Sequence, residues 1–341
     1  MKNFEKLKRI LSVALSVTIL TVFFSISAES VENNKSVYLG GEPFGIRFYN
    51  NGVVIIELES YYDGSKYICP AKSGGLKVND IIKAVDGEEI MTNEALQNAT
   101  ANSQGNEIEL TIERNGKEIT KKIKPEKNTG GMYLIGAWVR DSCAGIGTVT
   151  YYDADNKYFA ALGHGICDND TALLLPLGSG EAVYATINGI TKSTKGKAGS
   201  LNGYFTDSSI GTLEKNTETG VYGTISDNFH QKANKIEIAE NSEIKTGDAQ
   251  IYTTVDGDAP QYYSIEITKI VNLDSDTNEN FVIRITDNAL LNNCGGIVQG
   301  MSGSPIVQNG KLVGAVTHVF LRSPNEGYGV TAQNMVTNYD E

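Results

Sequence analysis

Metal chemistry has little to build on in this sequence. Its three histidines, His164, His230 and His318, are widely spaced, and no CxxC pair occurs, so no metal-ligand cluster is evident and no metal or cofactor is expected. Basic residues are outnumbered, 29 Lys and Arg against 41 Asp and Glu, for a formal net charge of −12. That balance argues against a nucleic-acid partner, because neutralising phosphates needs clustered Lys and Arg. Four cysteines (Cys69, Cys143, Cys167 and Cys294) are few for a disulfide scaffold. Cys143 and Cys167 bracket the segment leading to His164, which leaves a bridge between them open, with free buried thiols the default. Long amphipathic helical windows are absent from the second half of the chain, which turns the fold expectation toward strands.

What is present is globular: 40% hydrophobic and 21% charged residues over 341 positions give room for two ordinary domains and exclude large-scale disorder. Residues 1–9 carry Lys2, Lys6, Lys8 and Arg9, and Ile10 to Ile26 then runs apolar apart from Ser and Thr. A basic stretch followed by such a run reads as a signal peptide or an uncleaved membrane anchor over residues 1–30. In either case the remainder is expected outside the cytoplasm.

After a polar linker, residues 37–127 read as a compact module of strands and one helix. Phe44–Phe48 and Val53–Leu58 are expected as strands joined by a turn at Asn50-Asn51-Gly52. A helix is expected near Asn93–Asn102, and a hairpin across Asn115-Gly116. The run Ala71-Lys72-Ser73-Gly74-Gly75-Leu76-Lys77-Val78-Asn79-Asp80-Ile81-Ile82-Lys83-Ala84-Val85-Asp86-Gly87 resembles PDZ domains. That resemblance implies a small α+β domain with a peptide groove, to which Gly40, Gly41, Phe44, Gly45 and Ile46 would contribute the binding loop. Pro43 removes one donor N–H from the loop, so an internal segment or a domain contact is as well suited to it as a free C-terminus.

Asn128-Thr129-Gly130-Gly131 breaks the chain, and residues 132–341 show many short apolar stretches separated by Gly, Asn and Asp. Among them are Ile146–Tyr152, Tyr158–Leu162, Leu173–Leu177, Ala182–Ile187, Gly220–Ile225, Gln261–Val271, Phe281–Thr286 and Leu312–Phe320. This spacing predicts an antiparallel sandwich or barrel.

Within this β domain the reactive side chains fall in a suggestive order. Gly300-Met301-Ser302-Gly303 is a tight turn that would expose the Ser302 hydroxyl, with the N–H groups of Gly300 and Ser302 as candidate oxyanion donors. His164, in Gly163-His164-Gly165 at a strand end, is the candidate base. A carboxylate would hold the imidazole, and two are open: Asp287 at the end of an apolar strand shortly before Ser302, and Asp207, whose spacing suits a two-barrel chain. Asp168 and Asp170 lie too near His164 in sequence to be first choices. His318 is a candidate cleft-lining residue, with a structural role favoured.

Gly295-Gly296-Ile297-Val298-Gln299-Gly300-Met301-Ser302-Gly303-Ser304-Pro305-Ile306, with Ala161-Leu162-Gly163-His164-Gly165-Ile166 before it and Gly310-Lys311-Leu312-Val313-Gly314-Ala315-Val316-Thr317-His318 after it, closely resembles the sporulation stage IV protein B (SpoIVB) peptidase family. The resemblance implies a mainly β chain: a membrane segment, a PDZ domain and a chymotrypsin-like double-barrel serine peptidase domain. It assigns Ser302 as nucleophile, His164 as base and Asp287 as the third member, with Cys167 a departure where a small hydroxyl residue is expected. It further implies export into the forespore intermembrane space. The implied partners are protein substrates, namely a membrane-associated regulator of late sigma-factor processing and the peptidase itself. Two other readings stay open, an inactive PDZ-containing envelope adaptor and an HtrA-like quality-control protease.

Overall fold

The computed structural model describes residues 35–226 and 235–340. The segment expected as signal or anchor, and His230, lie outside those residues. Among the described residues, strands account for 56% and helices for 11%, so the architecture is mainly β. No helix among the described residues is long and apolar enough to cross a membrane.

The first two strands depart from expectation. β1 covers Ser36–Leu39, and β2 runs unbroken from Pro43 to Leu58, straight through Asn50-Asn51-Gly52 where a turn is predicted. The cause is long-range pairing. The first half of β2 is flanked on both edges, by residues 142–148 on one side and by residues 177–184 on the other. Buried Asn50 then donates its side-chain amide to the Arg140 carbonyl at 2.9 Å, which carries the strand past its irregular point. A backbone with ladder partners on both sides gains more by continuing than by reversing.

Beyond Asn50, β2 enters the PDZ-like sheet. It pairs there with β3 (Ile81–Val85), which pairs in turn with β4 (Ile108–Arg114), and β4 with β5 (Lys117–Ile123). Two helices cover this sheet, the single turn α1 (Pro70–Ser73) and α2 (Asn93–Asn102). Thr92 caps α2, its hydroxyl accepting from the Ala95 N–H at 3.1 Å. Asn115 and Gly116 take φ of +52° and +70°, both positive as a type I′ hairpin requires. Val53, Ile55, Leu76, Ile82, Leu96, Leu110 and Ile112 form the core of this part.

β6 (Ala137–Asp153) ties the PDZ-like sheet to the first barrel. Its residues 137–140 pair with residues 54–58 of β2, and its residues 142–148 pair with 43–49. The ring then runs through β7 (Tyr158–Ala161), β10 (Gly220–Ile225), β9 (Gly199–Thr217) and β8 (Leu177–Thr191) back to β2, closing a barrel of six strands. Phe44, Phe48, Val149, Tyr152, Phe159 and Val221 fill it. The 19-residue β9, rich in Ser, Thr, Asn and Gly, is not anticipated by the sequence, whereas of the expected strand 173–177 only Leu177 is strand.

The second barrel comprises β11 (Gly247–Thr253), β12 (Gln261–Ile270), β13 (Phe281–Ile285), β14 (Pro305–Gln308), β15 (Lys311–Phe320) and β16 (Ser323–Thr331), and it too is closed. α3 (Asn288–Cys294) follows β13, and α4 (Ala332–Asp340) ends the described chain. A shared apolar cluster joins the barrels: Tyr151, Tyr158 and Tyr222 from the first meet Ala315, Val330 and Met335 from the second barrel and α4. All four cysteines are free thiols, so the bridge left open between Cys143 and Cys167 is not formed.

The residues expected to line a peptide groove do not do so. Gly40 and Gly41 donate their N–H groups to the Thr150 and Val149 carbonyls at 3.0 and 2.8 Å. Phe44, Gly45 and Ile46 each face a partner on both edges, Gly147 and Tyr184, Ile146 and Val183, Gly145 and Ala182 respectively. With both ladders occupied and Phe44 fully buried, no edge remains for an added strand. This stretch is built into the first barrel instead.

Candidate active site

β7 ends at Ala161, and the chain leaves it through two successive left-handed residues, Leu162 (φ +67°) and Gly163 (φ +69°). A leucine in that region is strained, and such strain persists only where packing on every side enforces it. Here it drives the chain against the second barrel: a Cβ on Gly163 would stand 3.1 Å from both Thr317 Cγ2 and Val330 Cγ1. The next residue is His164. Its ring lies on that of His318 in β15, centroids 4.7 Å apart and planes tilted by 33°.

His164 Nδ1 lies 2.8 Å from the Gly165 carbonyl oxygen. A carbonyl can only accept, so Nδ1 carries the hydrogen and Nε2 keeps its lone pair. Burial, and secondarily the charge of His318, lowers the His164 pKa from 6.5 to about 4, against the opposing pull of the Gly165 carbonyl. The ring is therefore a neutral base at physiological pH. Burial also lowers the pKa of His318, with Glu279 opposing.

Ser302 reaches the same strand from the other direction. Its Oγ donates to the Thr317 carbonyl at 2.9 Å. Serine and imidazole thus contact adjacent residues of β15, Thr317 and His318, and are not hydrogen-bonded to each other. Free enzymes often hold these partners apart until substrate arrives. Gly300 has φ +99° and Gly303 φ +91°. At Gly303 a Cβ would fall 2.1 Å from the Thr148 carbonyl oxygen, so only glycine fits where the turn crosses β6. The N–H groups of Met301, Gly303 and Ser304 are engaged by the carbonyls of Val298, Val316 and Met301 at 3.1, 2.8 and 2.9 Å. Among the described residues that of Ser302 meets no acceptor, which suits an oxyanion donor.

The carboxylates are elsewhere engaged. Asp287 is the N-cap of α3, its Oδ1 accepting from the Leu290 N–H at 2.9 Å. The role that the family resemblance gives it, holding the imidazole, is met here by the Gly165 carbonyl. Asp287 instead secures the helix that feeds the glycine-rich turn. Asp207 lies exposed on β9. Asp168 is buried, ion-pairs with Arg140 and caps the following loop through the Asp170 and Thr171 N–H groups at 3.0 Å each. Asp170 also reaches Arg140, at 2.9 Å.

A cap and a charge partner respond differently to amidation. Asn caps a helix about as well as Asp, while Ala loses about 1 kcal/mol. Asp287→Asn should therefore keep kcat/KM within about threefold of the parent, and Asp287→Ala should lower the melting temperature by about 2–4 °C. Paired activity and melting measurements on the two variants check this. An Asn variant as inactive as one lacking the serine would show that the negative charge itself serves the imidazole.

Sequence reasoning missed the Gly165 and Thr317 carbonyls, which carry no side-chain signature, and it gave His318 no place against His164. Among the described residues no group of three or more His, Cys, Asp or Glu is placed to hold a metal.

With this geometry in hand, comparison with known proteins is direct. A family model described as SpoIVB peptidase S55 matches residues 131–336, more than half of the chain, and a PDZ domain model matches 30–124. The chain belongs to the SpoIVB peptidase S55 family. It is a serine peptidase carrying a PDZ domain. The S55 peptidase is also similar, 46% identical over 77 residues, to the serine protease Do-like HtrA of Bacillus subtilis, covering 22% of this chain and 16% of that one. It is 34% identical over 67 residues to a putative zinc metalloprotease of Clostridium perfringens, covering 20% of each. These matches thus span no more than about a fifth of either relative. Among solved structures, the active form of the Rv3671c protease from M. tuberculosis matches at 12% identity over 58% of this chain and 74% of that one, with a TM-score of 0.35.

Proposed function

We propose that this S55 peptidase is an exported endopeptidase of endospore formation that cuts a membrane-associated regulator and itself, with Ser302 as nucleophile and His164 as base. The observation that carries the assignment is the convergence of Ser302 and His164, from distant parts of the chain, on Thr317 and His318 of one strand. Family membership supports the sporulation setting. The basic and apolar stretch at residues 1–30 supports export, with the segment either removed or retained as an anchor.

In the mechanism, the Ser302 hydroxyl leaves the Thr317 carbonyl and turns to His164 Nε2, which takes its proton as Oγ attacks the substrate carbonyl carbon. The N–H groups of Gly300 and Ser302 receive the oxyanion. Proton return from the imidazolium to the leaving nitrogen breaks the C–N bond. His164 then deprotonates a water that attacks the acyl ester, releasing the acid and restoring Ser302. The Gly165 carbonyl holds Nδ1–H throughout, so the basic nitrogen is always Nε2.

The test is a spore-forming host whose only copy carries Ser302→Ala. The expected result is accumulation of the uncut chain and an intact membrane-associated regulator, read by immunoblot, with spore formation blocked late. Normal processing of both proteins in that strain would remove the reading.

A further inference from the structure

The nucleophile turn is held by a strand that belongs to neither the glycine motif nor the histidine motif. Thr148 and Thr150 stand two residues apart on β6, on the same face of the strand, and are 1% and 0% exposed. Val149 between them faces the opposite way, into the core of the first barrel. Both hydroxyls point at the turn. Thr148 Oγ1 donates to the Gly300 carbonyl at 2.7 Å, and Thr150 Oγ1 donates to the Gly303 carbonyl at 2.8 Å. The Thr148 N–H donates to the Ser302 carbonyl at 3.0 Å. Three of the four carbonyls of residues 300–303 are thus fixed by two threonines.

A trans peptide unit carries its C=O and N–H on opposite sides, so pinning one aims the other. In the unit between Gly300 and Met301, Thr148 holds the oxygen and the Val298 carbonyl takes the hydrogen. In the unit between Ser302 and Gly303, the Thr148 N–H holds the oxygen and the Val316 carbonyl takes the hydrogen. In the unit between Gly303 and Ser304, Thr150 holds the oxygen and the Met301 carbonyl takes the hydrogen. The one remaining unit, between Met301 and Ser302, has its oxygen occupied by the Ser304 N–H while the Ser302 N–H stays open. Its neighbours being locked on both faces, this unit can point its N–H in only one direction. β6 also carries Arg140, whose ion pair with Asp168 secures the loop that follows His164.

We propose that Thr148 and Thr150 are positioning residues of the peptidase, whose buried hydroxyls orient the peptide units around Ser302 so that its N–H and Oγ face the reacting carbonyl. The proposal rests on Ser302 being the nucleophile. Misplacement of a reacting group by about 1 Å costs about 100-fold in rate, which sets the scale of the effect.

The experiment uses the full-length chain with Thr148→Val, Thr150→Val and Thr148→Ser, each read three ways. These are the second-order rate of labelling by a fluorophosphonate with the site mapped by mass spectrometry, kcat and KM on casein, and the melting temperature. Valine keeps the shape and removes the donor. The expected result is labelling and kcat slowed about 10- to 100-fold in each valine variant, KM within about twofold, and recovery to within about threefold in Thr148→Ser. Folded valine variants that label Ser302 at the parent rate would overturn the proposal. Should valine at 148 prevent folding, Thr148→Cys, similar in size but a weak donor, takes its place, and a parent rate there is equally decisive. A parent chain that takes no label at Ser302 removes the nucleophile assignment, and this proposal with it.

Discussion

Ser302→Ala should lower kcat on casein by about 10⁵-fold or more while leaving the fold intact. The size of the loss follows from what the hydroxyl supplies, the covalent step on which the other groups act. Structurally little is removed. Among the described residues the hydroxyl donates one hydrogen bond, to the Thr317 carbonyl, so the expected cost in stability is about 1 kcal/mol. Serine and imidazole act as a unit in the proposed mechanism, and such effects do not add. The Ser302→Ala, His164→Ala double variant should therefore be no slower than either single one. Kinetics and melting curves for the three variants check this. A loss of only tenfold in Ser302→Ala would point to another nucleophile, with Ser304 the obvious alternative in sequence. Its hydroxyl is fully buried and bonded to Thr253 Oγ1 at 2.8 Å, which argues against that role.

His164→Ala should cost about 10⁴-fold or more in kcat/KM, and the parent protein should show an unusual pH profile. The base works only as neutral imidazole. Its pKa is lowered to about 4, by burial first and by His318 second, so the acid limb of kcat/KM should fall near pH 4 rather than near 6.5. The sign follows directly: lowering the pH through the pKa protonates Nε2 and switches the enzyme off. Removing His318 takes away a positive neighbour and uncovers the His164 ring, and both changes favour the imidazolium. In His318→Ala the acid limb should move upward, toward 6.5, with the alkaline side unchanged. A parent limb already at 6.5, or one that His318→Ala leaves in place, would contradict the stacked arrangement of the two rings.

The sequence foretold those parts of the fold that are decided locally. Asn115-Gly116 turns because both residues accept positive φ, and Thr92 starts a helix because its hydroxyl reaches the Ala95 N–H. The two barrels follow from many short apolar stretches with turn residues between them. Asn50-Asn51-Gly52 misled because a local turn preference was set against two complete ladders, whose partners lie about ninety and more than a hundred residues further on. The same partners drew Gly40 to Ile46 into the first barrel and away from a peptide groove. β9 escaped notice because its partly exposed length of Ser, Thr and Asn is stabilised by pairing with β8 and β10 rather than by any apolar alternation of its own.

At the site, Ser302 and His164 could be chosen because hydroxyl and imidazole chemistry is written in side chains. The groups they contact, the carbonyls of Thr317 and Gly165, belong to the backbone and look the same at every position. Asp287 illustrates the converse. A carboxylate at a strand end just before a serine turn invites a catalytic reading, yet the same residue at the same place also starts a helix, and its hydrogen bond to Leu290 shows which demand it meets here. Thr148 and Thr150 were hidden for a different reason: threonine is an ordinary strand residue, and only the register of β6 against the turn gives these two a task.

The central claim is that His164 activates Ser302 at the strand carrying Thr317 and His318. Mass-spectrometric mapping of the fluorophosphonate adduct in the parent chain and in His164→Ala tests it most directly. The account predicts a single adduct on Ser302 in the parent and none on the same timescale in the variant. An adduct on another residue, or one that forms on Ser302 at the same rate without the imidazole, would contradict it.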